Sequence, residues 1–475
     1  IYMELSCSAI YYAELLFLGG IVLEEKILEL VGEKKYGLVK QLLSEMNPAD
    51  VAAVFEEIPE NEQPVIFRIM PKELAAEVFV EMDSDMQQRL IEGFSDAELR
   101  DVMNELFMDD TVDIIDEMPA NVAKRILQQT DAKTRKMINQ LLAYPDDSAG
   151  SIMTTEYIDL KKDMTVADAF ERIRRIGVDS ETIYTCYVTD AQRRLLGIVS
   201  AKDLMLNERS CIIGDIMDEN IIHAHTLDDQ EQVASLFEKY DMLTLPVVDK
   251  EERLVGIITV DDAIDVMQDE ATEDIEKMAA ILPSEHSYFK TGVFETFRAR
   301  IPWLLLLMIS ATFTGAIISG FEAKLTVLPA LIAFIPMLMD TGGNSGSQSS
   351  VTVIRSISLG DIEFRDIGKV LWKELRVSLV CSAVLVAVNF IKLLLVDHLL
   401  LHNFDAGRVL PEVITVSLTL FATVIVAKII GCSLPILAKK IGFDPAVMAS
   451  PFITTIVDAI SLLIYFSMAG LLLGI

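Results

Sequence analysis

Apolar positions along residues 23–142 recur at helical spacing and are punctuated every 11 to 13 residues by Met46, Ile58, Met70, Met82, Phe94, Phe107 and Met118. Most of these landmarks precede a helix-start signal: Asn47-Pro48, Pro59-Glu60, Pro71-Lys72, Asp83-Ser84, Ser95-Asp96 and Pro119-Ala120. Pro at a first helical position gives up no useful N–H, and a Ser or Asp cap satisfies a free one, so each pair starts a short helix. Over 23–150 the pattern predicts an acidic superhelix whose helices are each too small to bury a stripe alone. Residues 1–22 are apolar but broken by Glu4 and Glu14 and lack a basic start. They fit neither signal peptide nor span, and an extension or a poorly ordered first helix is expected.

The period then changes. Within 151–265, two units each run helix, strand, turn, strand, helix, with short β-branched strands bounded by Asp and Gly. The first closes on Gly197-Ile-Val-Ser-Ala-Lys-Asp203 and the second on Gly256-Ile-Ile-Thr-Val-Asp-Asp262. These units resemble a tandem pair of CBS modules. Such pairs bind adenine nucleotides in some proteins and act as empty dimerisation platforms in others, and both readings stay open. An acidic, helix-forming segment follows to Met278. Asp262, Asp265 and Asp269 share one face there, with Glu270, Glu273 and Asp274 beside it. Charges so dense destabilise a helix unless cations or basic groups lie alongside. A solvated linker helix is the other reading.

From Ile301 the pattern predicts five spans, about 301–321, 325–340 running toward 354, 372–396, 411–438 and 446–474. The second span turns small and polar at membrane depth, in Asp340-Thr-Gly-Gly-Asn-Ser-Gly-Ser-Gln348. Lipid tolerates neither loose backbone nor a carboxylate, so this segment should face protein or a water-filled path. Gly342, Gly343 and Gly346 would let helices approach closely or let this helix open, while Asn344 and Gln348 supply polar groups. Asp458 lies mid-span and too deep to snorkel, so a functional role is expected, with nearby Thr454, Thr455 and Ser461 forming a hydrated wall. Pairing with Lys428 is the structural alternative. Asp444-Pro445 reads equally as a helix cap and as a site at a pore mouth.

Composition sharpens this division. The chain carries a formal charge of −32 and 52% hydrophobic residues, with a mean hydropathy of +0.39. Residues 1–300 hold 29 Lys+Arg against 61 Asp+Glu, whereas 301–475 hold 11 of each. An acidic soluble part is therefore joined to a neutral membrane part. Nucleic acid is excluded as a natural partner, and divalent cations fit. Basic residues Arg355, Arg365, Lys369, Lys373 and Arg376, with Lys439 and Lys440, put the soluble domains inside the cell and the C-terminus outside. Five cysteines form no paired spacing, and His223 and His225 read as an ordinary strand face rather than a metal site. No phosphate loop, nucleophile elbow or His/Asp/Ser set is present, so no enzyme is expected. Carboxylates, amides and hydroxyls suit hard cations. Mg²⁺ keeps its waters, so one Asp458 per subunit, doubled across a two-fold axis, fits it. Ca²⁺ and Mn²⁺ satisfy the same donors.

An acidic helical repeat, two CBS modules, an acidic connecting helix and five spans with Asp-Thr-Gly-Gly-Asn-Ser-Gly-Ser-Gln and Phe-Asp-Pro-Ala…Asp458 together resemble the MgtE family of magnesium channels over residues 23–475. The resemblance implies a multidomain fold: an all-α superhelical N domain (23–150), a tandem CBS domain of α+β type (151–265), a long acidic plug helix (266–298) and a five-helix transmembrane domain (299–475). It implies a homodimer in the plasma membrane with its pore on the two-fold axis, closed when cytoplasmic Mg²⁺ binds between the soluble domains and the plug. By motif, Asp458 would select the hydrated ion, with Asp340, Gly342, Gly343, Asn344 and Gln348 beside it, and Asp444 would bind at the inner mouth. Sensor ligands would be Glu77, Asp109, Asp113, Ser151, Asp229, Glu231, Glu238, Asp241, Asp262, Asp265, Glu270, Glu273 and Asp274. Lys202 and Asp203 occupy a nucleotide position used for ATP, although Thr185 stands where an aromatic ring can stack. Two other classes remain: a cation/H⁺ or cation/Na⁺ exchanger regulated by nucleotide, and a membrane-anchored sensor without transport.

Overall fold

The structure, a computed structural model, describes residues 20–283, 288, 291–321, 329–398, 409–448 and 450–474. The expected N-terminal extension lies outside these except for its last three residues. The chain forms two compact units, Ile1–Val266 and Met267–Ile475.

The first unit opens with ten described helices, from α1 (Gly20–Gly32) to α10 (Ala132–Leu141). Local cap chemistry sets their starts. Asn47 accepts from Ala49 N–H, Asp83 from Met86 N–H, and Ser95 forms a reciprocal capping box with Glu98. Pro71 and Pro119 stand at the other expected N-caps. One start moves: Pro59-Glu60 forms a turn, and the helix is Gln63–Ile69 with Pro64 in its first turn. Ile58, Met70, Phe94 and Met118 each close a helix in extended conformation and are buried. Phe67, Phe79 and Phe94 meet at centroid distances of 5.2–6.3 Å, so successive repeats share one apolar seam.

Two three-stranded sheets follow. In one, β1 (Asp159–Lys161) lies parallel to β2 (Thr185–Thr189), which pairs antiparallel with β3 (Leu195–Ser200). β4 (Ala224–His225), β5 (Thr244–Val248) and β6 (Leu254–Thr259) repeat that order, even to a bulge after Val188 and after Val247. The two modules exchange contacts. Thr154 bridges to Ile257 and Asp218 to Ile198, and Tyr187 donates its hydroxyl to Thr244 at 2.7 Å. Each motif glycine accommodates the other module's methionine: a Cβ on Gly197 or Gly256 would lie 2.7 Å from the sulfur of Met217 or Met153.

One acidic helix, α15 (Val260–Met278), begins as the closing helix of the second module. It ends at Met278, Ala280 adopts a left-handed conformation, and α16 (Val293–Gly320) begins anew. Residues 266–298 are therefore not a single helix. In the second unit follow α17 (Ile335–Ser358), α18 (Ile367–Lys392), α19 (Val409–Lys440) and α20 (Ser450–Leu473), the last preceded by a 3₁₀ turn over Pro445–Met448. Among the described residues four helical stretches are long and apolar enough to cross a membrane: 293–320, 364–396, 410–440 and 445–473. α17 falls short because Gly, Ser and Asn dilute its middle, yet it stays helical throughout. Its Gly342, Gly343 and Gly346 sit in close packing, where a Cβ would lie 2.7–2.9 Å from neighbouring side chains. α17 lies against α19 and α20, whereas α16 buries none of its described side chains within the chain.

The tightest approach is backbone to backbone. A Cβ on Gly431 of α19 would lie 2.1 Å from the Gly346 carbonyl oxygen of α17, whereas one on Gly368 would meet open space. Gly431→Ala must part the two helices, a strain of about 1–3 kcal/mol, and should lower the melting temperature in detergent; Gly368→Ala should leave it unchanged or raise it slightly.

Candidate cation pathway and acidic clusters

The polar middle of α17 divides by helical phase. Gly342, Gly343, Ser345, Gly346, Ser349 and Ser350 are buried against α19 and α20. Asp340, Asn344 and Gln348, four residues apart, share the other face and remain exposed. Such a stripe cannot face hydrocarbon. Asp458, half-buried on α20, is the carboxylate that senses Asp340, and the two repel.

Of the residues expected to form a hydrated wall, Thr454 and Thr455 are half-buried and Ser461 is buried. Thr454 and Thr455 donate their hydroxyls to the Pro451 carbonyl at 2.9 and 3.0 Å, because a helical Thr reaches its own backbone first. Ser461 Oγ is buried without a hydrogen-bond partner among the described residues. Lys428 does not serve Asp458. It is buried and donates to Ser349 Oγ at 3.3 Å, and Ser349 in turn donates to Glu374 at 2.7 Å. Glu374 and the buried Glu412 escaped the sequence reading.

At one end of this unit, α15 meets the membrane helices. Ser358 donates to Asp274 at 3.1 Å, and Met278 packs on Ile354 and Ala446. Lys277 reaches Glu273 at 2.6 Å and Asp444 at 2.8 Å. Burial opposes the charge of Lys277, but its hydrogen bonds to Asp444 and Glu273 outweigh this and hold it protonated. Asp444 shows the expected cap: its other oxygen accepts Ala446 N–H at 2.8 Å at the start of the 3₁₀ turn. Burial also raises Asp274, against the Ser358 hydrogen bond and helped by Asp444.

In the first unit a second acidic group forms where α8 (Met108–Glu117) meets the CBS pair. Asp109 is 8% exposed, and its Oδ1 has no hydrogen-bond partner among the described residues. Burial, then Asp110, pushes its carboxyl up to about 7. Asp262 rises to about 7, chiefly by burial and against its 2.5 Å bond from Thr259. Asp110 rises to about 6 by burial and then by Asp262. Asp113 shifts upward by desolvation and then by Asp109, though its exposure lets water screen part of that repulsion. Glu181, from the first module, rises to about 8 by burial and then by Asp109. Glu156 accepts Met108 N–H at 3.0 Å. Helical spacing singled out Asp262 and the family resemblance Asp109 and Asp113, whereas Asp110, Glu156 and Glu181 are delivered to the group by the fold.

Other expected ligands have local tasks or stand in solvent. Asp229 caps α14 (Gln230–Tyr240), and Asp241 ends it in left-handed conformation. Glu77, Glu231 and Glu238 are exposed. Ser151 donates its hydroxyl to the Ser148 carbonyl at 2.7 Å. Asp265 is exposed, with an upward shift from partial burial and then Asp261, while Glu270 is half-buried. Lys202 is exposed, and Asp203 closes a capping box with Ser200. Tyr184, 66% exposed, stands beside Thr185 and was missed as an aromatic candidate. No three described carboxylates bring oxygens within 4.8 Å of one another; only His223, His225 and Glu252 bring ligand atoms that close.

Comparison with known proteins matches residues 335–468 to the divalent cation transporter family MgtE, 46–147 to the MgtE intracellular N domain, and 149–208 and 213–269 to CBS domains. The magnesium transporter MgtE of Thermus thermophilus is 36% identical over 92% of this chain and 95% of its own length. That of Bacillus subtilis is 33% identical over 94% and 96%. A crystal structure of the soluble part of a magnesium transporter, 28% identical, superposes with a TM-score of 0.50 over 53% of this chain and 99% of that one. The apolar helices, the polar stripe and the acidic soluble unit thus coincide with a shared ancestry: the chain belongs to the MgtE family of magnesium transporters.

Proposed function

We propose that the chain is a Mg²⁺-selective channel of the plasma membrane, acting as a homodimer and closed by Mg²⁺ on its cytoplasmic side. The observation that carries this reading is the open stripe Asp340, Asn344 and Gln348 on a helix whose other face is tightly packed. Two copies facing each other across a two-fold axis turn that stripe into a water-lined path, with Asp458 beside it. In this reading α17 is the fifth span, tolerated because its polar face meets water. The apolar surface of α16 faces lipid or the partner. The basic residues between α17 and α18 and at the end of α19 keep the soluble unit inside, leaving the C-terminus outside.

Regulation follows from the acidic groups. Without a cation, Asp109, Asp113, Glu181 and Asp262 repel, so Mg²⁺ binds best to the arrangement that gathers them. With Asp265, Glu270, Glu273 and Asp274 along α15, several coupled sites make closure steep. Asp444 takes a cation at the inner mouth. ATP would bind at the first CBS module, where Ala201 N–H donates to the Tyr184 carbonyl at 2.8 Å and brings Tyr184 next to Lys202.

Asp458→Ala should abolish Mg²⁺-selective current in patch recordings, and retained selectivity would sink the pore assignment. Asp109→Asn with Asp262→Asn should leave the channel conducting at cytoplasmic Mg²⁺ levels that close the parent; closure at the parent's level counts against the sensor. The folded carboxyls sit near 6–8, above the roughly 4 of an unfolded chain, so folding takes up protons. The stability these four groups contribute to the cation-free protein is therefore full below about pH 4, falls as pH rises toward about 8, and then levels. In EDTA the melting temperature should be about 5 °C lower at pH 8 than at pH 5, and excess Mg²⁺ should restore it.

A further inference from the structure

On the second CBS module His225 ends β4, His223 stands two residues before it, and Glu252 lies in the turn between β5 and β6. His225 Nε2 is 3.4 Å from Glu252 Oε1, and His223 Nε2 is 3.5 Å from Glu252 Oε2. The ligand atoms of all three residues lie within 4.8 Å of one another. We propose that His223, His225 and Glu252 form a binding site for a first-row transition metal of the Zn²⁺, Co²⁺ and Ni²⁺ class, separate from the carboxylate chemistry that serves Mg²⁺.

The spacing supports an ion better than it supports hydrogen bonds. Separations of 3.4–3.5 Å exceed an ordinary N–H···O bond. A tetrahedral ion with bonds of about 2.0–2.2 Å, by contrast, holds its donors about 3.3–3.6 Å apart. One carboxylate shared by two imidazoles serves neither fully, whereas an ion between them engages all three. Three protein ligands leave a fourth position for water. Imidazole nitrogen favours borderline metals and is a poor ligand for Mg²⁺, so the donor set itself separates the two kinds of cation.

The ligands stand on fixed backbone. His225 pairs with Val248 in the sheet, and Thr226 N–H donates to the Val248 carbonyl at 3.1 Å. Asp228 accepts the His225 backbone N–H at 2.7 Å and lies 3.8 Å from Nδ1, the far nitrogen of the ring. At that distance the carboxylate does not hold the ring by a hydrogen bond, but its charge favours a cation bound at the ring. Glu252 adopts φ +62°, a left-handed conformation that a non-glycine residue takes only when its surroundings impose it. Its backbone is held from both sides: its N–H donates to the Asp249 carbonyl at 3.0 Å, and its carbonyl accepts Leu195 N–H at 3.1 Å from the first module. A metal here would staple the start of β4 to the β5–β6 turn, which already contacts the other module.

The test uses metal-stripped full-length protein in detergent with excess Mg²⁺ present throughout. Calorimetry should find one Zn²⁺ per chain bound, and Co²⁺ should develop the visible absorption of a low-coordinate nitrogen-ligated ion. Zn²⁺ should raise the melting temperature. His223→Ala, His225→Ala and Glu252→Gln should each abolish the Co²⁺ spectrum while keeping the parent's melting temperature in the absence of Zn²⁺ and Co²⁺. Unchanged Zn²⁺ stoichiometry in the His variants, displacement by Mg²⁺, or a Co²⁺ spectrum no different from the aqueous ion would overturn the site.

Discussion

Repulsion between carboxylates withdrawn from water is the interaction on which the rest of this molecule depends. A lone buried carboxylate can be relieved by a proton, a base or a cation, and the chain uses these remedies in different places. In the first unit Asp109, Asp110, Glu181 and Asp262 converge with no basic partner among the described residues, and their affinity for protons rises toward neutrality. In the second unit Asp444 and Glu273 share Lys277. The same kind of group is thus kept hungry for a cation in one place and satisfied in another.

This contrast connects the two chemistries of the chain. The polar groups of α17 divide between its two faces by phase alone. Residues spaced by four stay open, while the glycines and serines between them lock to α19 and α20. The packed face fixes where the open face points, so side-chain loss at Gly346 and Gly431 is part of how the polar stripe is positioned. In the soluble unit, the CBS pair holds Glu156 and Glu181 against α8 through contacts that no local pattern encodes.

Legibility in the sequence tracked the range of the interaction. The helix starts at Asn47, Asp83 and Ser95 were readable because a cap and its acceptor lie within three residues. Pro59 misled because a Pro can open a turn as readily as a helix, and Pro64 supplied the true start. The duplicated strands were readable from their β-branched runs and closing Gly and Asp. Asp340 and Asp458 were readable as charges where lipid forbids them. Lys428 was not assignable, since its contact Ser349 lies on another helix and is shared with Glu374 on a third. Asp203 and Asp229 carried a double meaning, since a carboxylate three residues from a Ser, or at a helix entry, caps whether or not it binds a ligand.

The lysine at the end of α15 gives Asp444 a neighbour that cannot diffuse away. Its ammonium is tethered to the same chain, so its local concentration beside that carboxylate is set by a few bonds rather than by the cytosol. An ion arriving at Asp444 competes with a resident cation and not merely with water. Whether that carboxylate is free then depends on how firmly α15 is seated. The Asp444 carboxylate is in this sense a balance with a weight already on one pan.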